Sequence, residues 1–532
     1  MENTYDFIST KTDEVYSKYA NTEENTEHAK IAYWKKLITL ILVEMKEDKM
    51  FYEPIFNRFV IFVYVQFIFI VFKMCNFYHT IFGGNLNRVF LIFSLHYRFF
   101  PHAALSAQTF WELLSRDLKT DLTENLDAWL SEILTSDIMG FQMTVKFVYD
   151  KKIAHLAEYE NSLPDYPKWF EPFVMKHLQE SDSKIKNMFL IKSLDKDTFT
   201  VQPNQTIKHS SSVIDIFSSL RATYDSLDKM KCPIPALRDK YHNRFCETID
   251  VVLIEYTKRI IDVFKKNLGT SGGLGTSCVI LCNIHRVREE LESIFKTMGG
   301  ELLDITAKQT LEGTQKRLKD ARNNVISDLV KNMKPEIEKC IRDIKNDLRN
   351  VRSKNGEDYT EIVSPLIEYF DVVFKIFVDS LYDDVRKPLF QQTWKRTLKL
   401  FEEIIILPDI NCIAHEEVQE LNSKQSQVVE AMLDMLKAYF TDSSGKCLKA
   451  RNLEKMTEMR DLRKVLSQYR LTTDTLIKNF VTQADNQNRF AEEDSQGEIQ
   501  LQVDLFTPPG QEHHDCTVKG LYSFLDCYYS LL

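Results

Sequence analysis

Glycine and proline are scarce in this chain, at 15 and 14 of 532 residues. So few turn formers cannot thread many short strands through tight reversals, which excludes a β-rich fold and favours long helices. Basic residues do not dominate: 68 Lys and Arg stand against 77 Asp and Glu, a net charge of −9. Phosphate affinity comes from Lys and Arg clusters that release counterions, so this balance excludes a general nucleic-acid binder and suits a cytoplasmic chain. The ten cysteines include no Cys-x-x-Cys pair. The closest two, Cys278 and Cys282, fall at i,i+4 within a helical pattern, as reduced core thiols do. No Cys/His cluster has zinc spacing, and no Gly-x-x-x-x-Gly-Lys loop or His-Glu-x-x-His motif occurs. These absences predict no metal, no cofactor and no enzymatic activity. The N-terminus lacks a basic segment followed by an apolar one, so no secretion signal is expected.

Long hydrophobic runs are also missing, with one exception. Phe59 to Phe72 holds fourteen mostly apolar residues between Arg58 and Lys73. As a helix these rise about 21 Å, short of a hydrocarbon core of roughly 30 Å. Arg58-Phe59 and Arg98-Phe99 bracket a Phe-rich, low-charge segment unlike the rest of the chain. Three readings stay open for residues 59–98: spurious translated sequence, a membrane-associated hairpin, or an ordinary core insertion.

What the chain has in abundance is helical periodicity. Ala32 to Lys49 places Trp34, Leu37, Ile38, Ile41, Leu42 and Met45 on one face. Ser106 to Leu134 and Phe141 to Tyr159 repeat the habit, and Arg244 to Phe264 predicts some six turns ending near glycine. Gly269 to Thr276 is expected to be a flexible connection. The next helix should close at Met298-Gly299-Gly300, where glycine takes positive φ without strain. Further helices are predicted over about Asp304–Arg352, Tyr359–Tyr382, Lys387–Ile406, Ser423–Phe440 and Arg460–Gln483, with Pro335 starting or kinking one of them. Glu498 to Leu505 alternates apolar and polar residues, a single half-buried strand pattern.

Three motifs invite chemistry. Gly269-Thr-Ser271-Gly-Gly273 matches the nucleophile-elbow pattern, but that motif needs a strand before it, and a helical pattern stands there instead. His513-His514-Asp515-Cys516 lies in a tail without a supporting framework. Lys316 to Lys354 carries twelve Lys or Arg against six Asp or Glu. Lys316, Lys319 and Arg322 in that stretch are candidates for attraction to acidic lipid or protein surfaces, although a solvated helix face explains such a run equally well.

Asp165-Tyr-Pro-Lys-Trp-Phe-Glu-Pro-Phe-Val174 is the most specific block. Its two prolines belong at helix entries, and Trp169, Phe170 and Phe173 supply a buried wedge. It is followed by Val213-Ile-Asp-Ile-Phe, by Cys232-Pro-Ile-Pro, by Cys282-Asn283 with Val287-Arg-Glu-Glu-Leu-Glu292, and by Gln427-Val-Val-Glu-Ala-Met-Leu-Asp434. In that order the blocks resemble the Munc homology regions of the uncoordinated-thirteen vesicle-priming family, over roughly Trp34 to Phe59 and Phe100 to Gln483.

The resemblance implies an all-α MUN domain, an elongated arc of stacked helical bundles, with a residual β-strand at the C-terminus. Its parts would be an N-terminal helical part (1–58), the apolar insert (59–98), the first homology region (99–268), connecting helices (269–358), the second homology region (359–483), and a linker with a truncated C2 start (484–532) that lacks calcium-ligating loops. It implies vesicle priming in regulated exocytosis, with syntaxin, other SNARE proteins and the syntaxin chaperone as partners and peripheral contact with acidic membranes at the plasma or presynaptic membrane. Within the family an Asn and a Phe three residues apart are associated with syntaxin opening. The matching positions here are Arg221 and Tyr224; the aromatic is kept, and a permanent cation replaces the amide. A purely structural tethering subunit is the alternative.

Overall fold

The computed structural model describes residues 26–52, 102–200, 206–350, 359–407, 421–441 and 448–482, with Asp6, Thr10, Pro54 and Arg58. The apolar run 59–72, the strand expected over Glu498–Leu505 and the His513–Cys516 cluster lie outside these residues. Among the described residues every regular element is helical. None of these helices is long and apolar enough to cross a membrane. The chain divides into two compact units, residues 1–420 with 428–462, and residues 421–427 with 463–532.

The first unit begins with a bundle of α1 (Thr26–Glu47), α2 (His102–Glu124), α3 (Leu126–Glu132), α4 (Thr135–Val148), α5 (Tyr166–Trp169) and α6 (Glu171–Lys184). The periodic residues Trp34, Leu37, Ile38, Ile41 and Met45 of α1 are all buried, against Phe110, Trp111, Leu114 and Leu118 of α2. The Trp34 indole donates to Asp121 Oδ2 at 2.8 Å, so its polar tip does not weaken the core. The single helix expected from Ser106 to Leu134 is two helices, because α2 stops at Glu124 and α3 starts again after Asn125. Asn125 donates its side-chain amide to Asp121 Oδ1 at 2.8 Å, a local bond that competes with continued helix. The helix expected to reach Tyr159 loses its α geometry at Val148 and passes into a π turn over Tyr149–Ile153.

The Asp165–Val174 block forms the joint between α5 and α6, with Pro167 and Pro172 each in a first turn, where no N–H is needed. Phe170 ends one helix and precedes the next. Phe170 and Phe173 are fully buried, and Trp129 packs against Phe141 and Phe173 with ring centroids 6.3 Å apart in both pairs. Trp169 donates to Asp165 Oδ2 at 3.0 Å, and this bond, helped by Lys168, holds the Asp165 carboxyl below its usual range.

After α7 (Ile191–Lys196) come four long helices: α8 (Ser211–Met230), α9 (Pro235–Asn267), α10 (Gly273–Thr297) and α11 (Ile305–Asn350). α9 runs 33 residues, longer than the stretch its apolar pattern marks, because Pro235 opens it a full two turns before Arg244. The expected flexible connection is shorter than Gly269–Thr276, since α10 already begins at Gly273. Gly269 and Gly272 take φ of +83° and +84°, which closes the turn tightly enough for the helix to restart. Pro335 does not start a helix; it stands inside α11, which continues for 46 residues. The missing Pro N–H removes one ladder bond, while Met333, Ile337, Ile341 and Ile344 keep the helix face buried.

A buried polar junction ties α8, α9 and α10 together. Asn283, fully buried, accepts from the Ser210 N–H at 2.9 Å and donates to Ser210 Oγ at 2.7 Å and Tyr256 Oη at 3.1 Å. Just upstream, Lys208 Nζ donates to the carbonyls of Val378 and Leu381 at 3.1 and 2.8 Å, at the end of α12 (Tyr359–Ser380). Val378 lies in the last turn of α12 and Leu381 just past its end, where helix carbonyls lack intrahelical partners, so the lysine caps the helix end, with Arg386 Nη1 also donating to the Val378 carbonyl at 3.4 Å. α13 (Asp383–Phe401) follows and runs into a π turn over Glu402–Ile406. Phe370, Phe374, Phe377 and Phe390 gather with Phe440 into an aromatic core, the Phe374 and Phe390 centroids 4.5 Å apart. Phe440 ends α14 (Ser423–Phe440), whose bounds match the periodicity; α15 (Ala450–Glu454) and α16 (Thr457–Gln468) follow.

In the second unit, Asn422 and Gln425 form a reciprocal cap at the start of α14. The Asn422 N–H donates to Gln425 Oε1 at 2.9 Å, and the Gln425 N–H to Asn422 Oδ1 at 2.8 Å. The helix expected over Arg460–Gln483 is interrupted at residues 469–472 and resumes over 473–482. Thr472 Oγ1 accepts the Thr475 N–H at 3.4 Å and so favours a new start there.

Candidate partner-binding groove

One face of α8 is apolar, and Val213, Ile216, Phe217, Leu220, Tyr224 and Leu227 are all buried. Lys231 ends the helix in the left-handed region at φ 43°. This sharp exit lets Cys232-Pro-Ile-Pro235 turn the chain into α9. At the far end of α10, Gly299 and Gly300 take φ of +118° and +56°, as the glycine pair predicts, and lead into a 3-10 turn over Gly300–Leu302. The two turns converge on a groove of about 370 Å³. Tyr224, Leu227, Tyr241, Met298 and Leu303 give it apolar walls, and Asp228, Lys231, Arg238, Asp239 and His242 line it with charge and polarity. On its lip Leu302 is 93% exposed, and Ile305 just beyond is 70% exposed.

Tyr224 therefore lies at the groove, 9% exposed, with its ring stacked on Phe245 at 5.8 Å and 28°. Its hydroxyl makes one long bond, to the Thr297 carbonyl at 3.4 Å. Burial raises the phenol above its usual range, and burial likewise raises the Cys232 thiol and lowers the His242 imidazole. The groove thus offers neutral hydrogen-bonding groups at Tyr224, Cys232 and His242 beside the charged Asp228, Lys231, Arg238 and Asp239, between apolar walls.

Arg221, one turn earlier, does not project freely. Its Nη2 donates to Glu290 Oε2 at 2.5 Å and to Ser293 Oγ at 3.2 Å, joining α8 to α10. Glu290 also accepts from Arg286, so it is shared by two guanidiniums. The sequence placed both Arg221 and the Glu289-Glu290 pair in family blocks, but gave no sign that they meet.

Lys316 and Lys319 are exposed on α11, whereas Arg322 is half-buried. The wider basic stretch is partly neutralised: Arg317 pairs with Asp250, Lys331 with Asp328, and both Lys334 and Arg342 with Glu338. Ser271 sits in the turn between α9 and α10, with helix rather than strand before it. Among the described residues no group of three His, Cys, Asp or Glu gathers in a geometry that could hold a metal. Cys278 and Cys282 are fully buried free thiols with pKa raised by burial, that of Cys282 to about 12. Lys208, His209 and Tyr382 carry a polar junction that no spacing signal announces, because they meet across more than 170 residues of chain.

The arrangement presents shape, apolar surface and hydrogen-bonding groups. The family model for the MUN domain matches residues 98–480.

Proposed function

Because this chain belongs to the MUN-domain family, whose scaffold role is vesicle priming before exocytosis, we propose that it promotes syntaxin opening and SNARE-complex assembly at a target membrane. The observation that carries the reading is the groove lined by Tyr224, one of the two positions that the resemblance associates with syntaxin opening. Its apolar walls and the exposed Leu302 suit an amphipathic helical segment, and its mixed polar lining suits the turns that flank one. Binding a strained, partly opened syntaxin better than the closed one shifts that equilibrium without covalent chemistry. The partners in this reading are syntaxin, other SNARE proteins and the chaperone that holds syntaxin closed, with peripheral contact at acidic membranes through Lys316 and Lys319. The homology regions lie over 99–268 and 359–483.

Arg221 sets the limit of the reading. It holds Glu290 rather than presenting a free amide, so a tethering subunit that binds without changing syntaxin is the second reading. The deciding experiment adds the purified chain to chaperone-bound syntaxin and follows SNARE-complex formation by fluorescence transfer. Acceleration supports priming; binding without acceleration favours the tether, and no binding overturns both.

A further inference from the structure

α10 and α11 lie side by side, and Arg288 of α10 meets Gln315 of α11. Arg288 Nε donates to Gln315 Oε1 at 3.1 Å, and Gln315 Nε2 donates back to the Arg288 carbonyl at 2.8 Å. Gln315, Lys319 and Arg322 stand at i, i+4 and i+7, on one stripe of α11. His285 stands one turn before Arg288 on α10. Arg288 and Arg322 therefore lie close enough for their charges to oppose each other, with the exposed Lys319 one turn before Arg322 on the same stripe.

Among the described residues, no carboxylate lies within ion-pair distance of Arg288, Lys319 or Arg322, in a chain where acids outnumber bases. The acids that face this groove, Glu289 and Asp384, have cationic neighbours of their own. Glu289 is 3.1 Å from Arg286 and 3.4 Å from His285 Nε2, and Asp384 is 3.9 Å from Lys387. Two buried nitrogens here, His285 Nδ1 and Arg322 Nε, have no hydrogen-bond partner. Burial first, and the Arg288 guanidinium second, hold Arg322 below the usual arginine range, against the opposing pull of the Asp384 carboxylate. Half-buried like charges beside unsatisfied donors are unfavourable unless an anion sits among them.

We propose that the half-buried Arg288 and Arg322, with the exposed Lys319 at the rim, form a site for a phosphate monoester carried by an inositol polyphosphate, either free or as a lipid headgroup. A monoester brings close to two negative charges and three terminal oxygens, which match two guanidinium forks and an ammonium. A phosphodiester of an ordinary acidic lipid brings one charge and lies flat at the membrane, so it does not reach half-buried guanidiniums. The site stands apart from the Tyr224 groove and does not depend on syntaxin binding.

The test uses the full chain and titrates inositol hexakisphosphate by calorimetry, with the thermal midpoint measured with and without it. Variants are Arg288→Gln with Arg322→Gln, Arg322→Lys, and a charge-matched control, Lys266→Gln with Lys339→Gln, which removes two exposed cations elsewhere. The double arginine variant is expected to bind at least about tenfold more weakly and to lose the ligand-induced rise in midpoint. Its unliganded midpoint should equal or exceed that of the parent, because two crowded charges are gone. Arg322→Lys should fall between, as it keeps charge without the fork. No binding to the parent overturns the site, and so does an equal loss in the lysine control. Phosphatidylcholine vesicles carrying phosphatidylinositol bisphosphate separate the sources. Competition by these vesicles with the soluble probe assigns the lipid headgroup, and probe binding untouched by them assigns the free polyphosphate.

Discussion

The guanidinium of Arg221 on α8 bonds the carboxylate of Glu290 on α10 at 2.5 Å, and Tyr224, one turn further along α8, reaches the Thr297 carbonyl of the same helix at 3.4 Å. The two positions that the family resemblance pairs thus both lean on α10, one through charge and one through a packed ring. That relationship separates what each contributes and makes their substitutions distinguishable.

Arg221→Asn restores the neutral amide that the family carries and removes the strut to Glu290. The Arg221 side chain is 42% exposed, so the ion pair contributes at most about 1 kcal/mol and urea midpoints should barely move. If the groove beside Tyr224 is where syntaxin docks, the same variant raises the rate of SNARE-complex formation above that of the parent chain. A fall in rate would show that the Arg221 strut itself supports activity.

Tyr224 gives the opposite pattern. Tyr224→Phe loses only a long hydroxyl bond and should cost about 0.5–1 kcal/mol. Tyr224→Ala removes the ring stacked on Phe245 and should cost about 3 kcal/mol by chemical denaturation, with partner binding lost in parallel.

Two glycines inside or opening helices should respond in contrary directions. Gly140, within α4, has open space where a Cβ would stand, so Gly140→Ala should stabilise by about 0.5–1 kcal/mol. At Gly273 the added Cβ would come within 2.1 Å of the Asn267 carbonyl oxygen, backbone that cannot yield. Gly273→Ala should lower the thermal midpoint and loosen the turn between α9 and α10.

Acidification should destabilise the chain through its buried imidazoles. Burial lowers His177, His209 and His242 from their ordinary value of 6.5, so each binds its proton more weakly when folded than when unfolded. Stability from these groups is complete above 6.5 and is lost as pH falls from there through the folded-state values. For His209 the opposing neighbours are Arg286, which lowers its pKa further, and Glu290 and Glu289, which raise it. Thermal midpoints taken from about pH 8 down to about pH 5.5 should decline, and His209→Asn should flatten the slope. A midpoint independent of pH over that range would contradict the burial of these rings.

Local order was legible wherever it rests on short-range physics. The spacing of Trp34, Leu37, Ile38 and Ile41 marked α1, the scarcity of glycine and proline marked the all-helical class, and Gly299-Gly300 marked the end of α10 because only glycine takes those φ values cheaply. Helix ends at Asn125 and Thr472 were missed, since single polar side chains bonding nearby backbone or acids decide them within an otherwise unbroken apolar pattern. Of the two readings at Pro335, a helix start or a kink, the start does not hold, because burial of Met333 and Ile337 on either side keeps the helix going through the proline.

By itself the sequence determined the fold class, most of the helices, the family and the block that carries Tyr224, since these follow from periodicity, composition and local motif order. Tertiary structure alone decided that Arg221 reaches Glu290, that Lys208 caps the end of α12 across 173 positions, and that Arg288 and Arg322 come close with no carboxylate in ion-pair distance of either among the described residues. Such meetings depend on how whole helices pack against one another. Helix packing is set by the summed shape of many apolar contacts, which no short stretch of sequence records.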